Sequence, residues 1–132
     1  MKAYFIIYIS LVFLSQTILA KEIPQIIEID HPETILFVGN SYLYYNDSLH
    51  NHFKRIVEEY NTDFDGGASV KSSTIGGSRL KHHDVERLIK PKALSSIEKF
   101  ELIILQGGSA EPLSVDNREE FSFFAKKHID AI

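Results

Sequence analysis

Three short apolar runs, each closed by glycine and a small polar residue, limit what this chain can become. The first is Thr34-Ile35-Leu36-Phe37-Val38-Gly39, followed by Asn40 and Ser41. A run without polar alternation that stops at a glycine predicts a strand buried on both faces, and such strands belong to parallel sheets covered by helices. The second run, Ala68 to Ile75, alternates in part and is broken by Gly76-Gly77; the third, Phe100 to Leu105, ends at Gln106-Gly107-Gly108. Helical spacing fills the intervals. Leu49, Phe53, Ile56, Val57 and Tyr60 predict a helix over Ser48 to Tyr60, capped by Asp47. Leu80 to Lys90 reads as a second helix, stopped at Pro91. Asn117 and Glu120 form a capping-box pair, and Phe121, Phe124, Ala125, His128, Ile129 and Ile132 continue a helical stripe behind it. Strand and helix alternate three times, which predicts an α/β fold: a three-layer α/β/α arrangement around a parallel sheet of about three strands. So thin a sheet reads as incomplete, because no glycine or polar stop closes the last helix before Ile132. It also leaves a long apolar edge, so residues 21–132 alone are expected to dimerise through that edge or to dissolve poorly.

The amino terminus reads as an address. Lys2 precedes an apolar run from Ala3 to Leu14, and Ser15 to Ala20 is more polar and ends in a small residue. That layout predicts a signal peptide over residues 1–20, cleaved after Ala20, with 21–33 as an extended lead and 34–132 as the domain. The apolar run is shorter than the roughly 20 residues a membrane span needs, so no stable span is expected after cleavage. The full chain has 14 Lys+Arg against 18 Asp+Glu; cleavage removes one lysine and leaves 13 − 18 = −5. An acidic exported domain is a poor candidate for nucleic-acid binding, which relies on phosphate neutralisation. The absence of cysteine excludes disulfides, thiolate metal sites and a cysteine nucleophile; for a chain exported by its signal peptide it suggests a bacterial periplasm or secretion more than an animal extracellular module. Nothing in the sequence calls for a metal or an organic cofactor.

In an open parallel sheet, ligands bind beyond the carboxyl ends of the strands. Here those ends read Gly39-Asn40-Ser41, Gly76-Gly77-Ser78 and Gln106-Gly107-Gly108-Ser109. A serine at a strand-to-helix turn, faced by backbone amides and a carboxamide, is the set that acyl transfer requires: one group attacks, and two or three donors hold the developing oxyanion. The three segments resemble the first three blocks of the SGNH (GDSL-like) hydrolases. Ile35 to Leu43 is similar to the first block, in which the serine of Gly-Asp-Ser is the nucleophile; Asn40 stands where that block has aspartate. Ile75 to Leu80 resembles the second, whose glycine amide lines the oxyanion hole, with Gly77 the matching glycine and Gly76 the alternative register. Leu102 to Ser109 occupies the place of the third, with Gln106 instead of asparagine; a Gln-Gly pair is similar to the variant of carbohydrate acetylesterase branches. The resemblance implies a serine esterase, with Ser41 as nucleophile, Gly77 and Gln106 in the oxyanion hole, and Asn40, Gly76 and His83 as substrate-side candidates. The implied substrate is a small ester or an acylated carbohydrate.

The same resemblance exposes a gap. The family's general base is a histidine in an Asp-x-x-His block, and no such block follows Gln106. His128-Ile129-Asp130 has the wrong order and falls on the helical stripe, where a packed histidine is expected. His83 lies on the catalytic edge and is read as a contact to substrate or to the Gly77 loop. A serine hydroxyl is a poor nucleophile without a base within hydrogen-bond reach. Three readings follow: the front part of an exported esterase whose base lies elsewhere, an inactive module that keeps the cleft for binding a carbohydrate or ester, or an unrelated flavodoxin-like domain that takes an anion at its glycine-rich turns. The acidic balance and the lack of a Walker lysine weigh against the third.

Overall fold

A computed structural model describes residues 31–132. The expected signal peptide, and the lead up to residue 30, lie outside the described residues. The element order is β1 (Ile35–Gly39), α1 (Ser41–Tyr44), α2 (Leu49–Tyr60), α3 (Gly66–Ser69), β2 (Val70–Thr74), a 3₁₀ turn (Leu80–His82), α4 (Val85–Leu88), β3 (Leu102–Leu105) and α5 (Val115–Ala131). The fold is a small α/β fold, with one three-stranded sheet in the order β2-β1-β3. Both pairings are parallel, with Gly39 opposite Thr74 and Val38 opposite Leu105.

The central place of β1 follows from its residues. Leu36 and Val38 enter one core with Val85, Ile97 and Phe100. Ile35 and Phe37 enter the other with Leu43 and Val70, against Phe53 and Phe64. Successive strand side chains point to opposite faces, so a strand covered on both sides needs an unbroken apolar run. All five β1 residues are buried. Each large apolar side chain so removed from water contributes roughly 1.5–3 kcal/mol. The third run is only half-buried because β3 has a neighbour on one side alone.

Several expected boundaries move, each for a local reason. The helix expected over 48–60 begins at Leu49, and Asp47 does not cap it. Asn46, Asp47 and Ser48 all have positive φ (51°, 64° and 65°), and the Asp47 carboxylate is taken by Arg55. The second strand starts at Val70 rather than Ala68, because the Asp65 side chain accepts the Ala68 N–H (2.9 Å) and winds 66–69 into a helical turn. The helix expected over 80–90 is two pieces. His83 is extended, and Asp84 starts a fresh helix by accepting the Arg87 N–H at 3.1 Å. The third strand starts at Leu102, while Phe100 fills the core from the loop before it. The last helix is capped by Ser114 Oγ, which accepts the Asn117 N–H. Asn117 and Glu120 do not form the expected capping box: both accept from Arg79, and Glu120 also pairs with Lys81. The α5 stripe is only partly covered, for His128 is buried while Ile129 and Ile132 are exposed. No helix among the described residues is long and apolar enough to cross a membrane.

Candidate active site

All three strand ends open on one edge of the sheet, and the backbone draws them together there. Ile75 N–H donates to Gly39 O (3.0 Å) on one side, and Gln106 N–H donates to Val38 O (2.8 Å) on the other. At Gly39 the approach is too close for a side chain: a Cβ would lie 2.7 Å from Gln106 Oε1 and 2.8 Å from Leu43 Cδ1. Glycine at this position therefore lets Gln106 fold over the end of β1.

Asn40, only 3% exposed, is the hub of the edge. Its Nδ2 donates to Ser78 O (2.9 Å) and to Gly107 O (3.1 Å), so one side chain ties the loops after β2 and β3 to the end of β1. Its Oδ1 accepts the Tyr42 N–H at 3.1 Å and opens α1. Its own N–H donates to Gln106 Oε1 at 3.0 Å. A carboxamide carries both donors and acceptor for this task; a carboxylate would turn its oxygens on two carbonyls. Asparagine at this position thus has a physical basis in these contacts.

Ser41 is half-buried at the first position of α1, next to this hub. Gly77 sits third in the turn Ile75–Ser78, closed by Ser78 N–H to Ile75 O at 3.1 Å, and takes φ +68°, which glycine adopts without penalty. Gly76 precedes it, with the Tyr44 hydroxyl packed so near that a Cβ would lie 2.9 Å from it. The Gln106 carboxamide straps the edge, Oε1 accepting from Asn40 and Nε2 donating to Gly107 O. Ser41, Asn40, Gly76, Gly77 and Gln106 therefore share one edge.

No family model, curated protein or solved structure matches the chain.

His83 joins the same edge through a partner that the sequence reading left out. Its Nε2 lies 2.8 Å from Ser78 Oγ, which is also 3.4 Å from Gly39 O. The imidazole is 5% exposed, and its Nδ1 is buried with no hydrogen-bond partner among the described residues. Burial holds its pKa below the ordinary histidine range; His128 and His82 push the same way and Glu111 opposes them. The ring is therefore neutral at pH 7. His128 donates Nε2–H to Leu80 O at 3.0 Å, which gives the packed histidine a backbone task. Glu111, also unforeseen, is buried and accepts from Leu80 N–H (3.2 Å) and Gly108 N–H. Leu80 is thus held at both its amide and its carbonyl, and the loop after Gly77 is fixed to α5 and to the segment after β3. An open groove of about 610 Å³ runs along this loop, lined by His82, His83, Asp84, Lys127 and His128 among others; Ser41 does not line it. Among the described residues no group of three or more His, Asp or Glu is placed to hold a metal ion.

Proposed function

We propose that this chain carries the nucleophile and oxyanion side of an exported serine ester hydrolase of SGNH type, acting on a small ester or an acylated carbohydrate. What supports the reading is the meeting of Ser41, the Gly77 turn and Gln106 at one sheet edge, joined through the Asn40 carboxamide. In this reading Ser41 Oγ attacks the ester carbonyl carbon, the alcohol leaves with a proton, and water then releases the acyl group from Ser41. The Ser41 and Gly77 amides and the Gln106 carboxamide hold the oxyanion. The chemistry requires a proton acceptor at Ser41 Oγ. Neither His83, bonded to Ser78, nor His128, bonded to Leu80 O, supplies one in this arrangement.

That engagement of both imidazoles favours a second reading, a binding module that keeps the cleft without turnover. The deciding assay is release of 4-nitrophenol from its acetate by the native product and its variants. Under the first reading Ser41→Ala abolishes release and Gln106→Ala lowers it roughly 10- to 1000-fold. Turnover that survives Ser41→Ala would remove the serine from its role. No turnover by the native product, with an acylated oligosaccharide still bound, would favour the binding module. The intact mass of that product tests cleavage after Ala20.

A further inference from the structure

The fold covers only half of the apolar stripe of α2. Phe53 packs against the core of Ile35, Phe37, Leu43 and Val70, but Leu49, Ile56 and Tyr60 are 50%, 70% and 91% exposed. Their spacing stacks these three along one face of the helix. His52, Arg55 and Glu59, all exposed, border the row on one side. Exposed apolar residues scattered singly are ordinary, whereas a continuous row rimmed by polar groups marks a contact surface.

The chain itself enters on this face. His31 and Pro32, the first of the described residues, line a groove of about 340 Å³ together with Phe53, Val57, Tyr60 and Phe64. The sequence leading to them is Glu22-Ile23-Pro24-Gln25-Ile26-Ile27-Glu28-Ile29. In an extended chain alternate side chains share a face, which would put Ile23, Ile27 and Ile29 together and turn both glutamates away from them. We propose that the outer face of α2 is a docking surface for residues 22–29 of the same chain, with Ile29, Ile27 and Ile23 set over Tyr60, Ile56 and Leu49. The spacings agree. From Ile29 to Ile27 an extended chain advances about 6.6 Å, against about 6 Å along the helix from Tyr60 to Ile56. From Ile27 to Ile23 it advances about 13 Å, against about 10.5 Å from Ile56 to Leu49. A second copy of the chain is the poorer occupant. The lead is already tethered at His31, so its docking costs the closure of a short loop and not the freedom lost on association. Neither Ser41 nor Gln106 enters this proposal, which stands apart from the esterase reading.

The chain has no cysteine, so an introduced thiol reports on its own position alone. Ile56→Cys and Glu59→Cys are made separately in the native product and labelled with a maleimide, each rate being referred to its value in urea. The expected result is that Ile56→Cys labels more slowly than Glu59→Cys by roughly tenfold, and that adding Ile27→Asp and Ile29→Asp abolishes the difference. A second pair of variants guards against loss of fold in the charged lead. Ile27→Cys with Ile56→Cys, treated with copper phenanthroline in air, should lose two hydrogens to the oxidant and remain a monomer by intact mass. Ile27→Cys with Glu59→Cys should keep both thiols. Equal labelling at the two positions overturns the proposal, as does protection that survives the charged lead. Protection that fades on dilution, or disulfide-linked dimers in place of the linked monomer, would assign the face to a second copy and also overturn it.

Discussion

Replacing Asn40 by aspartate is nearly isosteric, so its effect isolates hydrogen bonding from packing. Asn40 Nδ2 donates to two carbonyls, Ser78 O and Gly107 O, from a buried position. Ionised, the introduced carboxyl would lose both bonds and set its oxygens against two carbonyl oxygens. Protonated, it could restore one bond, but holding the proton at pH 7 against an ordinary aspartate pKa of about 3.9 costs about 4 kcal/mol. With the second bond lost at about 1 kcal/mol, the expected destabilisation at pH 7 is about 3–5 kcal/mol. The sign of its pH dependence follows. The carboxyl's pKa is raised in the folded state, so the unfolded chain releases its proton first as pH rises. Stability of Asn40→Asp relative to the parent should therefore fall by about 1.4 kcal/mol per unit above about pH 4, until the folded-state carboxyl ionises. Asn40→Ala removes the same bonds without adding a titrating group, so its deficit should stay flat over that interval. Urea denaturation followed by circular dichroism at pH 4.5 and 7.5 measures all three proteins. An Asn40→Asp protein within about 0.5 kcal/mol of the parent at pH 7.5 would show that the carboxamide does not hold the strand ends together.

Two further outcomes rest on the same edge. Gly39→Ala places a Cβ 2.7 Å from Gln106 Oε1 and 2.8 Å from Leu43 Cδ1, and should lower stability by about 1–3 kcal/mol in thermal or urea melts; a neutral result would mean that Gln106 does not lie over β1. Burial holds the pKa of His83 below its ordinary value, so the unfolded chain takes up the proton first as pH falls. Stability should therefore decline from about pH 6.5 downward. His83→Gln should flatten part of that decline, and His50, whose pKa burial and Lys54 also lower, should account for a further part. A melting temperature equally acid-sensitive in parent and His83→Gln would exonerate His83.

The fold was legible in the sequence where one physical signal dominates. The unbroken run Ile35–Gly39 marks the strand flanked on both sides, and the small residues at each strand end mark the edge at which Asn40, Gly77 and Gln106 meet. A cap was misread where a second partner competes for it. Asp47 looked fit to cap α2, and its pairing with Arg55, eight residues on, decided against the nearer role. Asp84 does carry an ordinary cap signal, but the run from Leu80 to Lys90 reads as one helix stopped at Pro91. The contacts that complete the site were not legible at all. Ser78 to His83 is a spacing of five that an extended loop would keep apart; the turn at Leu80–His82 folds it into a 2.8 Å contact. Glu111 gave no local sign of burial, because the two amides that hold it come from Leu80 and Gly108, on different loops.

The histidines show how a residue type that suggests catalysis can be absorbed by structure. His83 and His128 both hold the loop that follows Gly77, one bonded to Ser78 and the other to the Leu80 carbonyl. Glu111 accepts the Leu80 amide, so Leu80 is held at its amide from the segment after β3 and at its carbonyl from α5. Unpaired, each such group would cost about 1–3 kcal/mol. Arg79 and Lys81 extend the same attachment through Glu120 at the half-exposed surface. Rigidity of this kind is what an oxyanion turn needs, because donors stabilise a developing charge only when they are held in place beforehand. Both imidazoles engage this loop through Nε2.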